Sequence, residues 1–129
     1  MKLVKDVMVT DIIKISPFAT LREALTLMKR HNVKSLVVER QSEHDAWGLI
    51  TYTNVLKSVI AEDGDIDLLN VYDVCAKPVI SVGENLALKH TATLMSEYRV
   101  KRLLVLKDNE MCGFVVMDDI MDALLDTID

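Results

Sequence analysis

Glycine, proline, cysteine and aromatic residues are all scarce in this chain of 129 residues: four Gly, two Pro, two Cys and 5% aromatics. So little glycine and proline excludes collagen-like and linker-like chains. Two cysteines cannot build a disulfide framework or, unaided, a structural zinc site, and Cys75 and Cys112 lack redox spacing. They are expected to be reduced, packed thiols. Few aromatics disfavour base-stacking platforms and carbohydrate grooves. Basic residues are outnumbered, 15 to 20, for a net charge of −5, which argues against a dedicated nucleic-acid binder. No apolar run is long enough for a membrane span, and residues 1–6 lack the apolar core of a signal peptide. A cytoplasmic location with no membrane partner is the expectation. Nucleophile elbow, Walker loop, His-Glu-x-x-His and dinucleotide glycine fingerprint are also missing, so no catalytic residue is assigned and an enzyme is not expected.

What is present is 50% hydrophobic and 27% charged, enough apolar material for one folded module of this length. The chain is also a duplication. Shifted by 67, residues 6–38 lie over 73–105 without a gap: Asp6-Val7 over Asp73-Val74, Ile13 over Ile80, Leu21 over Leu88. Thr26-Leu27-Met28 falls on Thr93-Leu94-Met95, and Val33-Lys34 on Val100-Lys101. The offset then drops by two, so that Gly48-Leu49-Ile50 meets Gly113-Phe114-Val115 and the first copy carries a longer loop at 41–45.

Each copy reads as β-α-β-β-α. Extended segments at 12–15 and 79–82 precede helices whose apolar positions are Leu21, Ala24, Leu25, Met28 and Leu88, Thr91, Ala92, Met95, the second helix with Asn85 as its cap. Strands follow at 35–38 and 47–51, then at 102–106 and 111–117, and closing helices at 54–61 and from 119 to about 128. This order predicts an α+β fold with mixed sheets, helices on one side, and two repeats packed about a pseudo-twofold axis. The boundaries expected are 1–61 for the first repeat, 62–67 for an acidic linker and 68–129 for the second, in a single module spanning 1–129. Asp63, Asp65 and Asp67 imitate the start of a calcium loop, but its sixth position is Leu68 and its twelfth Val74, so a solvated connector is the better reading.

The repeated unit resembles the cystathionine-β-synthase (CBS) domain, and the tandem resembles a Bateman module, of the stand-alone small kind. The carriers are Asp6-Val7-Met8, the helix at 21–28, the strand entries at 33–38 and 100–105, and the strand-to-helix junctions at 48–54 and 113–119. The resemblance implies a non-catalytic regulatory module that binds adenine nucleotides and dimerises through its helices. It implies no required cofactor; AMP, ADP, ATP or S-adenosylmethionine would be a regulatory ligand. The family junction, Gly-x-x-Thr/Ser-x-x-Asp, offers a hydroxyl and backbone N–H groups to a phosphate and a carboxylate to ribose hydroxyls. This chain splits it: Thr51 with Asn54 in one copy, Val116 with Asp119 in the other. Asn54 retains one acceptor for a ribose hydroxyl, whereas Val116 offers a phosphate nothing.

The resemblance also implies crosswise clefts. One would gather Leu49, Thr51, Asn54, Cys75, Ile80, Lys101 and Arg102; the other Met8, Ile13, Lys34, Phe114, Val116 and Asp119. The first is expected to take a phosphorylated adenosine, the second a less charged adenosyl compound or no ligand. Simple helix capping accounts equally well for Thr51, Thr53, Asn54, Asp118 and Asp119. Trp47 and Met8, Met28, Met95 and Met121 read as packing residues, and the loop at 43–45 as solvated. Two functions stay open: a ligand sensor that changes the geometry of a homodimer, or a dimeric adaptor with vestigial clefts. In both the output goes to a separate protein partner. The closing helix, with Ile120, Met121, Ala123, Leu124, Leu125 and Ile128, carries apolar surface for either.

Overall fold

The computed structural model describes residues 2–77 and 80–128. The elements run α1 (Val4–Val7), β1 (Lys14–Ile15), α2 (Leu21–His31), β2 (Ser35–Val38), β3 (Gly48–Thr51) and α3 (Tyr52–Val55), which continues as a π-helical turn, Leu56–Ala61. Then come α4 (Val71–Val74), β4 (Ser81–Gly83), α5 (Leu88–Tyr98), β5 (Arg102–Lys107), β6 (Glu110–Val116) and α6 (Met117–Leu125). The fold is α+β, with two three-stranded sheets ordered β1-β2-β3 and β4-β5-β6. In each, the first pair is parallel and the second antiparallel, the mixed pattern that a β-α-β-β chain imposes. Expected Val79 lies outside the described residues.

The helices begin where local chemistry allows. Thr20 Oγ1 accepts from the Glu23 N–H while the Glu23 carboxylate accepts from the Thr20 N–H, a capping box at the start of α2. Lys29, Arg30 and His31 face the negative end of its dipole, and Asn32 closes it at φ 53°. Asn85 does not cap α5; the N-cap is Ala87, with no side-chain hydrogen bond. Ala92, expected on the buried face, is exposed, and Leu88, Thr91 and Met95 are the buried residues of the helix, with Leu94 half-buried against the same core. The closing helices start two residues earlier than expected, because the backbone turns at Thr51 and Val116.

The repeat in sequence and the compact unit in space do not coincide. One unit comprises residues 1–12 with 80–129, the other residues 13–79. Each therefore takes the short helix that precedes the opposite repeat. In the first unit the Val4 and Lys5 N–H groups donate to Leu86 and Glu84 carbonyls, and Val4 is fully buried. In the second, the Val71 and Tyr72 N–H groups donate to Ala19 and Pro17, and Val71 is fully buried. The repeated Asp-Val thereby acquires a physical meaning: Asp6 and Asp73 accept from the Leu3 and Asn70 N–H groups and hold one helical turn in place.

A residue further along each segment then pairs with the outer edge of a sheet. Val9 exchanges backbone hydrogen bonds with Phe114 at 2.8 and 3.0 Å, and Ala76 exchanges them with Leu49 at 2.9 and 3.0 Å. Each bridge lies beside a glycine. A Cβ on Gly113 would stand 2.5 Å from the Val9 carbonyl oxygen, whereas on Gly48 it would meet Val38 Cβ at 3.1 Å and the Ala76 oxygen at 3.3 Å. Gly113→Ala must displace backbone and should cost about 2 kcal/mol, against under about 1 kcal/mol for Gly48→Ala. Denaturant unfolding of the two variants measures the difference.

Candidate functional site: two strand-to-helix junctions

The two junctions occupy equivalent places in their units but differ in chemistry. At the first, Thr51 is the N-cap of α3 and Asn54 its third residue. The Asn54 N–H donates to Thr51 Oγ1 at 3.3 Å, and Asn54 Oδ1 accepts from both the Thr51 N–H at 3.0 Å and the Thr51 hydroxyl at 3.1 Å. A backbone N–H can donate only to an oxygen, so this contact fixes which way the amide faces. Both lone pairs of Oδ1 are then used. In the free chain the Asn54 oxygen and the Thr51 hydroxyl are therefore bonded to each other, and a ribose hydroxyl or phosphate would have to compete with that pairing. The pair is a closed cap.

The second junction is open. Val116, the N-cap of α6, makes no side-chain bond, and Asp119 stands where Asn54 stands in the first copy. Asp119 is partly buried and has no hydrogen-bond partner among the described residues. Desolvation first, and then the charges of Asp122 and Asp118, push its carboxyl above the ordinary carboxylate range. Lys101 and Arg102 lie in the same unit. With Val116, Met117 and Asp118 they line a small cavity of about 50 Å³, and the Arg102 Nε is buried with no hydrogen-bond partner among the described residues.

The expected clefts divide between the units as follows. Leu49, Thr51, Asn54 and Cys75 belong to one unit, where Leu49 bridges Ala76 and the Cys75 sulfur lies near Gly48. Ile80, Lys101 and Arg102 belong to the other. Met8, Phe114 and Asp119 share that unit, with the Met8 sulfur near Gly113, while Ile13 and Lys34 do not. The backbone explains part of this division. The Lys34 carbonyl accepts from the Tyr52 N–H at 3.0 Å and the Lys101 carbonyl from Met117 at 2.9 Å, so each lysine borders the junction of its own repeat. Val9 and Ala76, which flank the two junctions, carry no side-chain signal in the sequence; only the offset of 67 relates them.

The remaining candidate side chains are packed, paired or exposed within their own units. Burial raises both thiols, Cys75 and Cys112, which keeps them protonated. Met28 and Met95 are core residues, Met8 packs at the core margin, and Met121 is exposed. Lys14 and Arg40 lie over the Trp47 ring at 5.5 and 5.2 Å. The loop at 43–45 is less free than expected: Asp45 accepts from the Gln41 and Ala46 N–H groups and pairs with Lys77. Asp67 of the acidic linker pairs with Arg22. Among the described residues no three His, Cys, Asp or Glu side chains gather as a metal site, and no helix is long and apolar enough to cross a membrane.

The CBS domain family model matches residues 4–61 and again 71–126, and the chain belongs to that family. It is 30% identical over 120 residues to the CBS domain-containing protein YhcV of Bacillus subtilis, covering 93% of this chain and 84% of that protein. In structure it is similar to the hexameric CBS-CP12 protein from bloom-forming cyanobacteria, with TM-score 0.92 and 26% identity over 100% of this chain and 76% of that one. It is also similar to the CBS domain pair of protein MJ0100 in complex with 5′-methylthioadenosine and S-adenosyl-L-methionine, with TM-score 0.80 and 25% identity over 95% and 99% of the two chains. The two-repeat α+β architecture is shared with these proteins.

Two expectations follow from the asymmetry of the junctions. Thr51→Val removes the cap and strands Asn54, which should cost about 1–2 kcal/mol, whereas Val116→Thr supplies a cap to α6 and should add up to about 1 kcal/mol. Thermal unfolding checks both signs. Asp119 titrates at higher pH folded than unfolded, so its contribution to stability is most favourable below the unfolded value and is lost as pH rises through the folded one. Asp119→Asn should therefore stabilise the chain at neutral pH, with the gain vanishing under acid conditions, as denaturant titrations at several pH values would reveal.

Proposed function

We propose that this chain is a regulatory module that binds an adenosyl compound and reports its occupancy through the geometry of a homodimer. The observation that carries this reading is Asp119. A partly desolvated carboxylate with no partner among the described residues is an unfavourable feature of the free chain. Two ribose hydroxyls donating to it would remove that cost with charge-assisted hydrogen bonds. The neighbouring Phe114 and Met8 offer apolar surface for an adenine ring. The adenosyl ligands of the MJ0100 pair support the same ligand class. Because Thr51 and Asn54 cap each other, the Asp119 junction is the stronger candidate.

Lys101 and Arg102 bear on which adenosyl compound is taken. Their place beside Val116 and Asp118 supports a phosphate next to this junction, in AMP, ADP or ATP. S-adenosylmethionine and 5′-methylthioadenosine carry no phosphate and would leave the two cations unused. Binding to the carboxylate form should strengthen as pH rises through the raised Asp119 value. The signal itself requires a ligand affinity that differs between two arrangements of the assembly.

A second reading, a dimeric adaptor, draws on the apolar residues that the fold leaves at the surface. On α6 and just beyond it, Met121, Leu124, Leu125 and Ile128 are exposed, while Ala123 faces the core. Titration calorimetry of the chain with AMP, ADP, ATP, S-adenosylmethionine and 5′-methylthioadenosine separates the readings. The sensor predicts heat with at least one compound, abolished by Asp119→Ala and retained in Asn54→Ala. Silence toward all five at high micromolar protein would sink the sensor and leave the adaptor.

A further inference from the structure

The duplication supplies an internal control for what the fold itself requires, and one surface fails that control. In the unit formed by residues 13–79, Phe18 is 65% exposed, Tyr72 55% and Leu68 78%. The two rings meet edge to face with centroids 6.1 Å apart. Their backbone is firmly tied: the Tyr72 N–H donates to the Pro17 carbonyl at 3.0 Å, the Asn70 amide to the Phe18 carbonyl at 3.0 Å, and the Phe18 N–H to Ser16 Oγ at 3.1 Å. The rings therefore stand on a fixed platform.

The other unit makes the same backbone junction, with the Lys5 N–H donating to the Glu84 carbonyl at 2.9 Å. At the positions equivalent to Phe18 and Tyr72 it carries Asn85 and Lys5. Folding thus places no demand for aromatic rings here. Tyr52 and Tyr98 are exposed as well, but Phe18 and Tyr72 are two exposed rings in mutual contact on a junction that tolerates Asn and Lys, and that pairing points to contact with something outside the chain.

The charge around the rings identifies the kind of contact. Residues 62–73 hold five acidic side chains and no basic one. Of these, Asp67 is paired with Arg22, and the pairing neutralises that arginine. Asp65 and Asp73 remain exposed, as does Glu23 at the start of α2. Asp73 accepts from a backbone N–H, which leaves its negative charge uncompensated, whereas Asp65 shares the Arg22 charge with Asp67. Exposed rings on an acidic segment are complementary to an apolar anchor flanked by cations.

We propose that Phe18, Leu68 and Tyr72 form a docking surface for a separate protein, which presents a short segment with an apolar anchor flanked by Lys or Arg. This surface does not depend on the adenosyl reading and would operate in either the sensor or the adaptor.

The test is selection of random 12-residue peptides displayed on phage against the whole chain, followed by binding of the enriched peptides, as synthetic probes, to the wild type and to a Phe18→Asn/Tyr72→Lys double variant. That variant installs the residues the other repeat already carries, so its melting temperature should match the wild type. The expected result is a consensus joining apolar residues to Lys or Arg, affinity that falls with added salt, and a loss of at least about tenfold in the double variant. Failure to enrich such peptides, enrichment of neutral or acidic ones, or binding unchanged in the double variant would each overturn the proposal. A change in sedimentation coefficient between wild type and variant would also overturn it, by assigning the patch to a second copy of the chain. Nucleotide calorimetry on the double variant should be unaltered, which separates failure of this surface from failure of the ligand reading.

Discussion

The structure depends on how each three-stranded sheet disposes of its outer edge. A strand edge that is left bare exposes backbone donors and acceptors, and a unit of this size has little apolar material to spare for covering it. Here a segment from ahead of the opposite repeat serves both needs. Val4 and Val71 fill their cores completely, and Val9 and Ala76 close the edges beside Phe114 and Leu49. Gly113 and Gly48 are the consequence, since the incoming backbone approaches where a side chain would otherwise stand. The strand-to-helix junctions follow directly from these closed edges, and their position is set by them.

Duplication lets one copy serve as a measure of the other. Where both copies agree, as in Asp6 and Asp73, the residue performs the same backbone task twice. Where they differ, the fold has been satisfied in another way and the difference is available for function. Thr51 and Asn54 use their polar atoms on each other, while Val116 and Asp119 leave a carboxylate without a partner among the described residues. Phe18 and Tyr72 stand where Asn85 and Lys5 suffice. The proposals of adenosyl binding and partner docking both rest on residues that folding alone does not explain.

The helix and strand order was legible because its signals are local. Apolar spacing marked α2 and α5, β-branched runs marked the strands, and the offset of 67 related one copy to the other. Helix starts were less legible. Asn85 is a good capping residue in a place where the backbone does not enter the helix, and Ala87 holds the position for geometric reasons alone. The four-residue helices α1 and α4 lack the length for a periodic signal, so their importance became visible only through burial of Val4 and Val71. Of the candidate site, the residue types were legible and their hydrogen-bonding state was not. Asn54 has the composition of a ribose acceptor, yet the Thr51 N–H decides which way its amide faces.

The sequence by itself determined the repeat, the β-α-β-β-α order, the family and the split of the junction chemistry between Thr51 and Asp119. Each of these is written in residue identity and spacing, which need no neighbour distant in the chain. Tertiary structure alone decided that residues 1–12 complete the unit of 80–129, that Lys101 borders the Asp119 junction, and that the aromatic poverty of the chain coexists with a pair of exposed rings. Those outcomes depend on which backbone groups meet across dozens of residues. Composition counts the few aromatic side chains; only the fold determines that Phe18 and Tyr72 face water.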